Sequence, residues 1–156
     1  MSPWKVRPSL DQLNHMRRGT MVEYLDIRIT ELGEDFLRAT MPVDHRTVQT
    51  MGILHGGASV ALAETVGSFA ANLSIDPAKQ ACVGQDINAN HLRPVAAGSH
   101  VTATARPVHI GTRSQVWQID IHDDRERLVC VSRLTMAVIN RPAESISKDK
   151  GKADAL

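Results

Sequence analysis

Aromatic side chains are scarce in this sequence: two tryptophans, two phenylalanines and one tyrosine among 156 residues. Small aliphatic residues are therefore expected to fill the core. Cysteine is almost absent. Cys82 and Cys130 stand alone among apolar neighbours with no C-x-x-C, which excludes a disulfide framework and points to buried free thiols in a reducing cytoplasm. An excess of one charge is missing too. Eighteen basic and 17 acidic residues are mixed along the chain, leaving a net charge of +1. No nucleic-acid stripe or polybasic membrane patch is present, so neither partner is expected. The opening "MSPWKVRPSLDQ" has no apolar h-region, so no secretory signal is expected. The histidines lack H-x-x-x-H or H-E-x-x-H spacing, so no metal is expected, and no cofactor either. There is no internal repeat.

A length of 156 residues suits one domain with a core of its own. The hydrophobic share of 42% and charged share of 22% are those of a soluble globular protein. Its most apolar run, "GILHGGASVALAETVGSFAANL" from Gly52 to Leu73, contains one ionised side chain, Glu64. With His55, Ser59, Ser68, Asn72 and four glycines it reads as a buried helix rather than a membrane span.

Around that run the pattern is simple. Ser9 with Gln12 and Thr20 with Glu23 form two capping-box signatures, each predicting a short helix. Leu25, Ile27 and Ile29 alternate as a strand does, "GED" at Gly33–Asp35 is a turn, and Phe36 to Met41 returns as a second strand. A loop runs from Pro42 to Met51, and the long helix follows. Three or four strand-like runs come after Pro77, drawn from "ACVGQDINANHL", "HVTATARPVHI", "SQVWQIDIH" and "RLVCVSRLTMAVI", with the charged turn "DDRER" after the third. The reading divides the chain into an N-terminal helical segment at 1–20, a domain at 21–140 and a disordered tail at 141–156. The fold class is α+β, an antiparallel sheet with one helix lying against it.

On a helical wheel, Leu62, Val66, Phe69 and Leu73 form one stripe suited to burial on a sheet. Glu64 lies on another with Val60, Ala61, Gly67, Ser68 and Ala71. Gly67 costs a helix interior roughly 1 kcal/mol relative to alanine. Its presence predicts a close approach to the backbone by a partner helix or a ligand. The start, His55-Gly56-Gly57, leaves helix N-terminal N–H groups uncovered, a plausible oxyanion site. Glu64 lies about 11–12 Å further along the axis. It is too far away to act on an atom held at its own helix N-terminus. An antiparallel helix from a second copy would bring Gly56 beside it, so the geometry hints at a dimer with interface sites. The competing reading for Glu64 is a buried carboxylate paired to Arg or Lys, and for His55 a hydrogen-bonded loop histidine.

"GILHGGASVALAETVGSFA" resembles the signature of the hotdog-fold acyl-coenzyme A thioesterases of the phenylacetate-degradation and 4-hydroxybenzoyl type. It is most similar to the branch of the 1,4-dihydroxy-2-naphthoyl-coenzyme A hydrolases and enterobactin-synthesis proofreading thioesterases. "MVEYLDIRI", "ATMPVDHRTVQ", "INANHLRP", "PVHIGTRSQVWQIDI" and "SRLTMAV" extend the resemblance over Met21 to Ile139. It implies the hotdog fold, a long central helix wrapped by an antiparallel sheet. It also implies a homodimer with active sites at its interface, assembled as a dimer-of-dimers tetramer.

Transferred by position, the resemblance makes Glu64 the carboxylate that acts as nucleophile or general base, and the Gly56 N–H the group that polarises the thioester carbonyl. It makes His55 an orienting residue and puts Gln49 near the reacting carbonyl and water. Ser68 and Phe69 would border the acyl group, and Gly84 would join the substrate-binding set. His91, Leu92, Arg93 and Pro94, with His109, Ile110, Gly111, Thr112, Arg113 and Ser114, would hold coenzyme A. Arg93 and Arg113 offer charge to phosphates, and Gly111 permits a turn whose amides can face an anion. "TVQTMG" departs from the usual Gln-Pro-Phe-Gly at Thr50 and Met51, and Phe69 stands where a smaller or flexible residue is usual. The activity implied is hydrolysis of aryl- or medium-chain acyl-coenzyme A. The alternatives are a hotdog hydratase or dehydratase on enoyl or 3-hydroxyacyl thioesters, and a non-enzymatic acyl-coenzyme A-binding module.

Overall fold

The computed structural model describes residues 2–141, so the tail expected at 141–156 lies outside the described residues from 142 onward. Two short helices open the chain, α1 (Leu10–His15) and α2 (Met21–Tyr24). A hairpin follows, β1 (Arg28–Leu32) and β2 (Leu37–Pro42), and then the long helix α3 (Gly56–Leu73). The chain ends in four strands, β3 (Gln80–His91), β4 (His100–Ile110), β5 (Ser114–Asp123) and β6 (Leu128–Asn140). All six strands form one antiparallel sheet in the order β1-β2-β4-β5-β6-β3. It curls around α3, which touches β2 to β6. This is the hotdog architecture that the resemblance implies. Among the described residues no helix is long and apolar enough to cross a membrane.

The α1 capping box is present: Gln12 N–H donates to Ser9 Oγ at 3.2 Å and Ser9 N–H to Gln12 Oε1 at 2.9 Å. At α2 the box opens. Thr20 Oγ1 accepts from Val22, while Glu23 reaches past Thr20 to the Gly19 N–H. The first strand starts later than the Leu25–Ile29 alternation predicts. Leu25 caps α2 and Asp26 turns the chain at φ 52°, so pairing begins only at Arg28.

Along β5 every second residue is buried, with Gln115, Trp117, Ile119 and Ile121 beneath α3. The core is mostly aliphatic, as the composition predicts, but its largest fully buried side chain is Trp117. That ring stacks on Trp4 at 6.0 Å between centroids, and Trp4 Nε1 donates to Gly33 O. Together with the Lys5 N–H on Leu73 O, these contacts pin the N-terminal segment along the C-terminal half of α3.

The sheet, rather than a partner helix or a ligand, is what approaches α3 at Gly67. A Cβ there would lie 2.5 Å from Leu134 Cδ2. Gly67→Ala is therefore expected to lower Tm despite alanine's better helix propensity, because overpacking costs about 1–3 kcal/mol against about 1 kcal/mol of propensity. Thermal unfolding checks this; an unchanged or higher Tm contradicts it.

Candidate active site

The segment entering α3 is held by backbone pairing. Val48 bridges Leu54, Ile53 bridges Ala96, and the Leu54 N–H donates to Val95 O at 2.8 Å. Gly52 turns the chain at φ 75°, a left-handed conformation that glycine adopts freely. The turn fixes Gln49, whose Oε1 accepts from the Met51 N–H, so its amide N–H groups remain available to donate.

His55 is the N-cap of α3. Its Nδ1 accepts the Gly57 N–H at 2.8 Å, and the ring is exposed. The Ala58 and Ser59 N–H groups donate to His55 O. Of the first-turn donors, Gly56 alone has an N–H without an acceptor among the described residues. A cap that took every donor would leave nothing for an oxyanion; this one leaves a single N–H at the positive end of an 18-residue helix. The His91 ring lies over it, and a Cβ at Gly56 would stand 2.8 Å from His91 Nε2. Gln49, Gly56, Ser59 and His91 to Pro94 line one cleft of about 350 Å³, whose remaining walls are Ile53, Leu54 and Val129.

Glu64 is half-buried two turns further on. It makes no hydrogen bond or ion pair among the described residues, so the reading as a structural carboxylate locked to Arg or Lys is not realised. Burial pushes its pKa above the usual carboxylate range, with no charged neighbour contributing. Gly84 on β3 lies directly against it; a Cβ at that position would collide with Glu64 Oε1. Ser68, one turn later, touches Met136 Sδ at 3.9 Å. Beyond it, Ser68 and Phe69 face a largely apolar groove of about 370 Å³, walled across by Val6, Pro8, Leu13 and Met16. Phe69 thus leaves the buried stripe of Leu62, Val66 and Leu73 and stands half-exposed in the groove wall. The far wall comes from more than fifty residues away in sequence, and no local periodicity signals it.

Within one chain, these residues form two separate groups. Gln49, Gly56 and His91–Pro94 meet at the helix N-terminus, and Glu64, Gly84 and Ser68 meet about 12 Å along the axis. The predicted coenzyme A segments are separated as well. His91 pairs with Cys130, which pairs with Ile121. The His109–Ser114 turn lies beyond the row Gln115–Met136–Gly84, at the other end of the strands. That turn is tight: the Gly111 N–H donates to Ser114 O at 2.9 Å, and a Cβ on Gly111 would stand 2.6 Å from His109 Nε2. Ile110, Thr112, Arg113 and Arg93 are exposed, and neither arginine forms a salt bridge among the described residues. Among those residues no group of three or more His, Cys, Asp or Glu could hold a metal ion.

Comparison with known proteins shows the family and the fold. The family described as Thioesterase superfamily matches residues 51–130. The 1,4-dihydroxy-2-naphthoyl-CoA hydrolase of Escherichia coli is 52% identical over 136 residues, 87% of this chain and 98% of that one. The proofreading thioesterase EntH of Cronobacter sakazakii is 49% identical over 87% of this chain and 98% of its own length. A crystal structure of a thioesterase from Haemophilus influenzae superimposes with a TM-score of 0.85 at 54% identity, covering 88% of this chain and 94% of that one.

Proposed function

Because the chain belongs to the thioesterase superfamily and is a thioester hydrolase, we propose that its substrates are aryl- or medium-chain acyl-coenzyme A thioesters, hydrolysed by Glu64 of one copy with the Gly56 N–H of another. The observation that carries the reading is a half-buried carboxylate without a partner among the described residues, set against a helix-end N–H that likewise has no acceptor among them and lies out of its reach. Each group lacks what the other supplies.

Assembly follows from the sheet. β3 is a 12-residue edge strand with no Lys, Arg or Pro to blunt it, and such edges pair with another strand. Two copies of β3 related by a two-fold axis run antiparallel, and their α3 helices then lie antiparallel on one face of the joined sheet. Glu64 of each meets the Gly56 end of the other, and His91–Pro94 of one copy approaches His109–Ser114 of the other. Arg93 and Arg113 then offer their charges to the coenzyme A phosphates from both sides. Two buried free thiols, Cys82 and Cys130, suit a cytoplasmic enzyme.

In the reaction the Gly56 N–H and the helix end hold the thioester oxygen as negative charge builds on it; one such donor contributes about 3–4 kcal/mol. Glu64, ionised, takes a proton from the attacking water, the carbon–sulfur bond breaks, and that proton passes to the departing thiolate, leaving the carboxylic acid and the coenzyme A thiol. On the covalent route Glu64 itself attacks the carbonyl carbon and expels the thiolate; water then hydrolyses the mixed anhydride, frees the acid and supplies the thiolate's proton. Gln49 donates towards the carbonyl or the water, and His91 closes the cleft over the pantetheine arm. The acyl group lies along Ser68 into the apolar groove. A panel of benzoyl, phenylacetyl, naphthoyl and aliphatic coenzyme A thioesters, read by free thiol, tests the reading. Turnover of aryl or medium-chain members supports it; thiol release from none of them refutes it.

Phe69 is expected to set preference within that panel. Removing an aromatic contact of about 0.5–1.5 kcal/mol lowers kcat/KM for aryl thioesters roughly two- to thirteenfold relative to aliphatic ones in Phe69→Ala. An unchanged ranking assigns Phe69 to packing alone.

A further inference from the structure

We propose that Asn72 is a positioning residue for the Glu64 site: its carboxamide fastens the start of β3 to α3, and it closes the free edge of the sheet at Cys82. The inference rests on the interface reading above. Asn72 lies two turns after Glu64 on α3 and spends both its donors and one acceptor site on backbone. Nδ2 donates to Ser68 O at 2.9 Å and to Cys82 O at 3.1 Å, and Oδ1 accepts the Cys82 N–H at 2.9 Å. The amide therefore pairs with Cys82 as a neighbouring strand residue does.

The β6 register explains why Cys82 is open to it. In an antiparallel ladder, residues alternate between facing the neighbouring strand and facing away. The Val138 N–H donates to Arg113 O, so Val138 faces β5, and its partner Cys82 directs N–H and C=O to the free edge. Asn72 takes both groups. Nothing in the helix ladder requires this, and a helix residue whose only task was to end the helix would not bond a strand.

Two consequences reach the site. Gly84 is two residues beyond Cys82 and lies against Glu64 Oε1, so the clamp fixes the surface that desolvates the carboxylate. Cys82 is also withdrawn from edge pairing, so a second β3 finds partners only further along. A two-residue slip moves one strand about 7 Å along the other. That distance takes the partner's helix end out of reach of Glu64. The clamp thus excludes registers that extend to Cys82.

The test compares Asn72→Ala and the near-isosteric Asn72→Asp in the full chain, on the best thioester of the panel. Aspartate keeps the acceptor for the Cys82 N–H but loses both donors and sets an oxygen against Ser68 O and Cys82 O. Both variants are expected to lose roughly tenfold or more in kcat with KM within about twofold, as small misplacements at a reacting centre do. Faster hydrogen exchange at the Cys82 and Gly84 amides should accompany the loss. A purely structural Asn72 would lower Tm and leave kcat and exchange at Gly84 unchanged; that result, or wild-type kinetics in Asn72→Asp, overturns the proposal. If Asn72→Ala fails to fold, Asn72→Asp decides alone. Amide exchange reads the clamp even if no panel member is hydrolysed, so failure of the substrate reading remains distinguishable.

Discussion

Glu64→Gln is expected to lower kcat by at least about a hundredfold while KM stays within about threefold, the pattern of an interaction made mainly in the transition state. Glutamine has the same shape, so the contact with Gly84 and the helix are preserved. What is lost is a charge that can attack a carbonyl or take a proton. The pH dependence follows from the same burial. Because the proposed role needs Glu64 ionised and burial raises its pKa, wild-type kcat/KM is expected to fall in acid at a higher pH than for an exposed carboxylate. Stability runs the other way. A carboxyl with a folded pKa above its unfolded one binds more protons in the folded state, so its effect on stability worsens as pH rises from the unfolded value through the folded one. Above that window the charged, half-buried group burdens the fold. Glu64→Gln should therefore melt higher than wild type near neutral pH, with the difference vanishing in acid. Equal activity at saturating substrate would remove Glu64 from the mechanism, and an unchanged Tm would remove the desolvation argument.

That trade is visible in the sequence, since one ionised residue in the most apolar run is where local preference and burial disagree. The helix bounds were legible for the same kind of reason. His55-Gly56-Gly57 opens the apolar period and the run ends at Leu73, and α3 spans Gly56–Leu73. The alternation in β4 and β5 likewise gave those strands within a residue, because one face of each is packed on the helix. The parts that were not legible depend on contacts between distant segments. Gly67 is a glycine because Leu134, 67 residues later, leaves no room for a methyl group. Asn72 reads as one polar residue near a helix end until the register of β3 exposes Cys82 to it. The Trp4–Trp117 stack, which brings the N-terminal segment across to wall the apolar groove, joins two residues 113 positions apart. Local periodicity carries no record of any of these.

Ala89→Pro is expected to give a folded chain without its β3 partner and with kcat/KM reduced by at least about a hundredfold, because the proposed site needs two copies. Asn88 and Asn90 pair with Arg133 and Val131, and the Leu92 N–H donates to Val129 O, so by alternation the Ala89 N–H points to the free edge. Proline there deletes one outward donor and puts a ring in the path of a partner strand, while the β6 ladder stays intact. Circular dichroism should be unchanged and the sedimenting mass halved. A variant of undiminished mass or full activity would defeat edge pairing. A mixing experiment then asks which copy supplies which group. Glu64→Gln lacks the carboxylate, and Gly56→Pro lacks the N–H at a first-turn position where proline suits the backbone. In a mixed dimer of the two, one site has lost both groups and the other retains both. Equal mixing yields half mixed dimers, so activity should return to about a quarter of wild type from two inactive parents. Were Glu64 to act with Gly56 of its own helix, every site in the mixture would lack one group, and no activity would return.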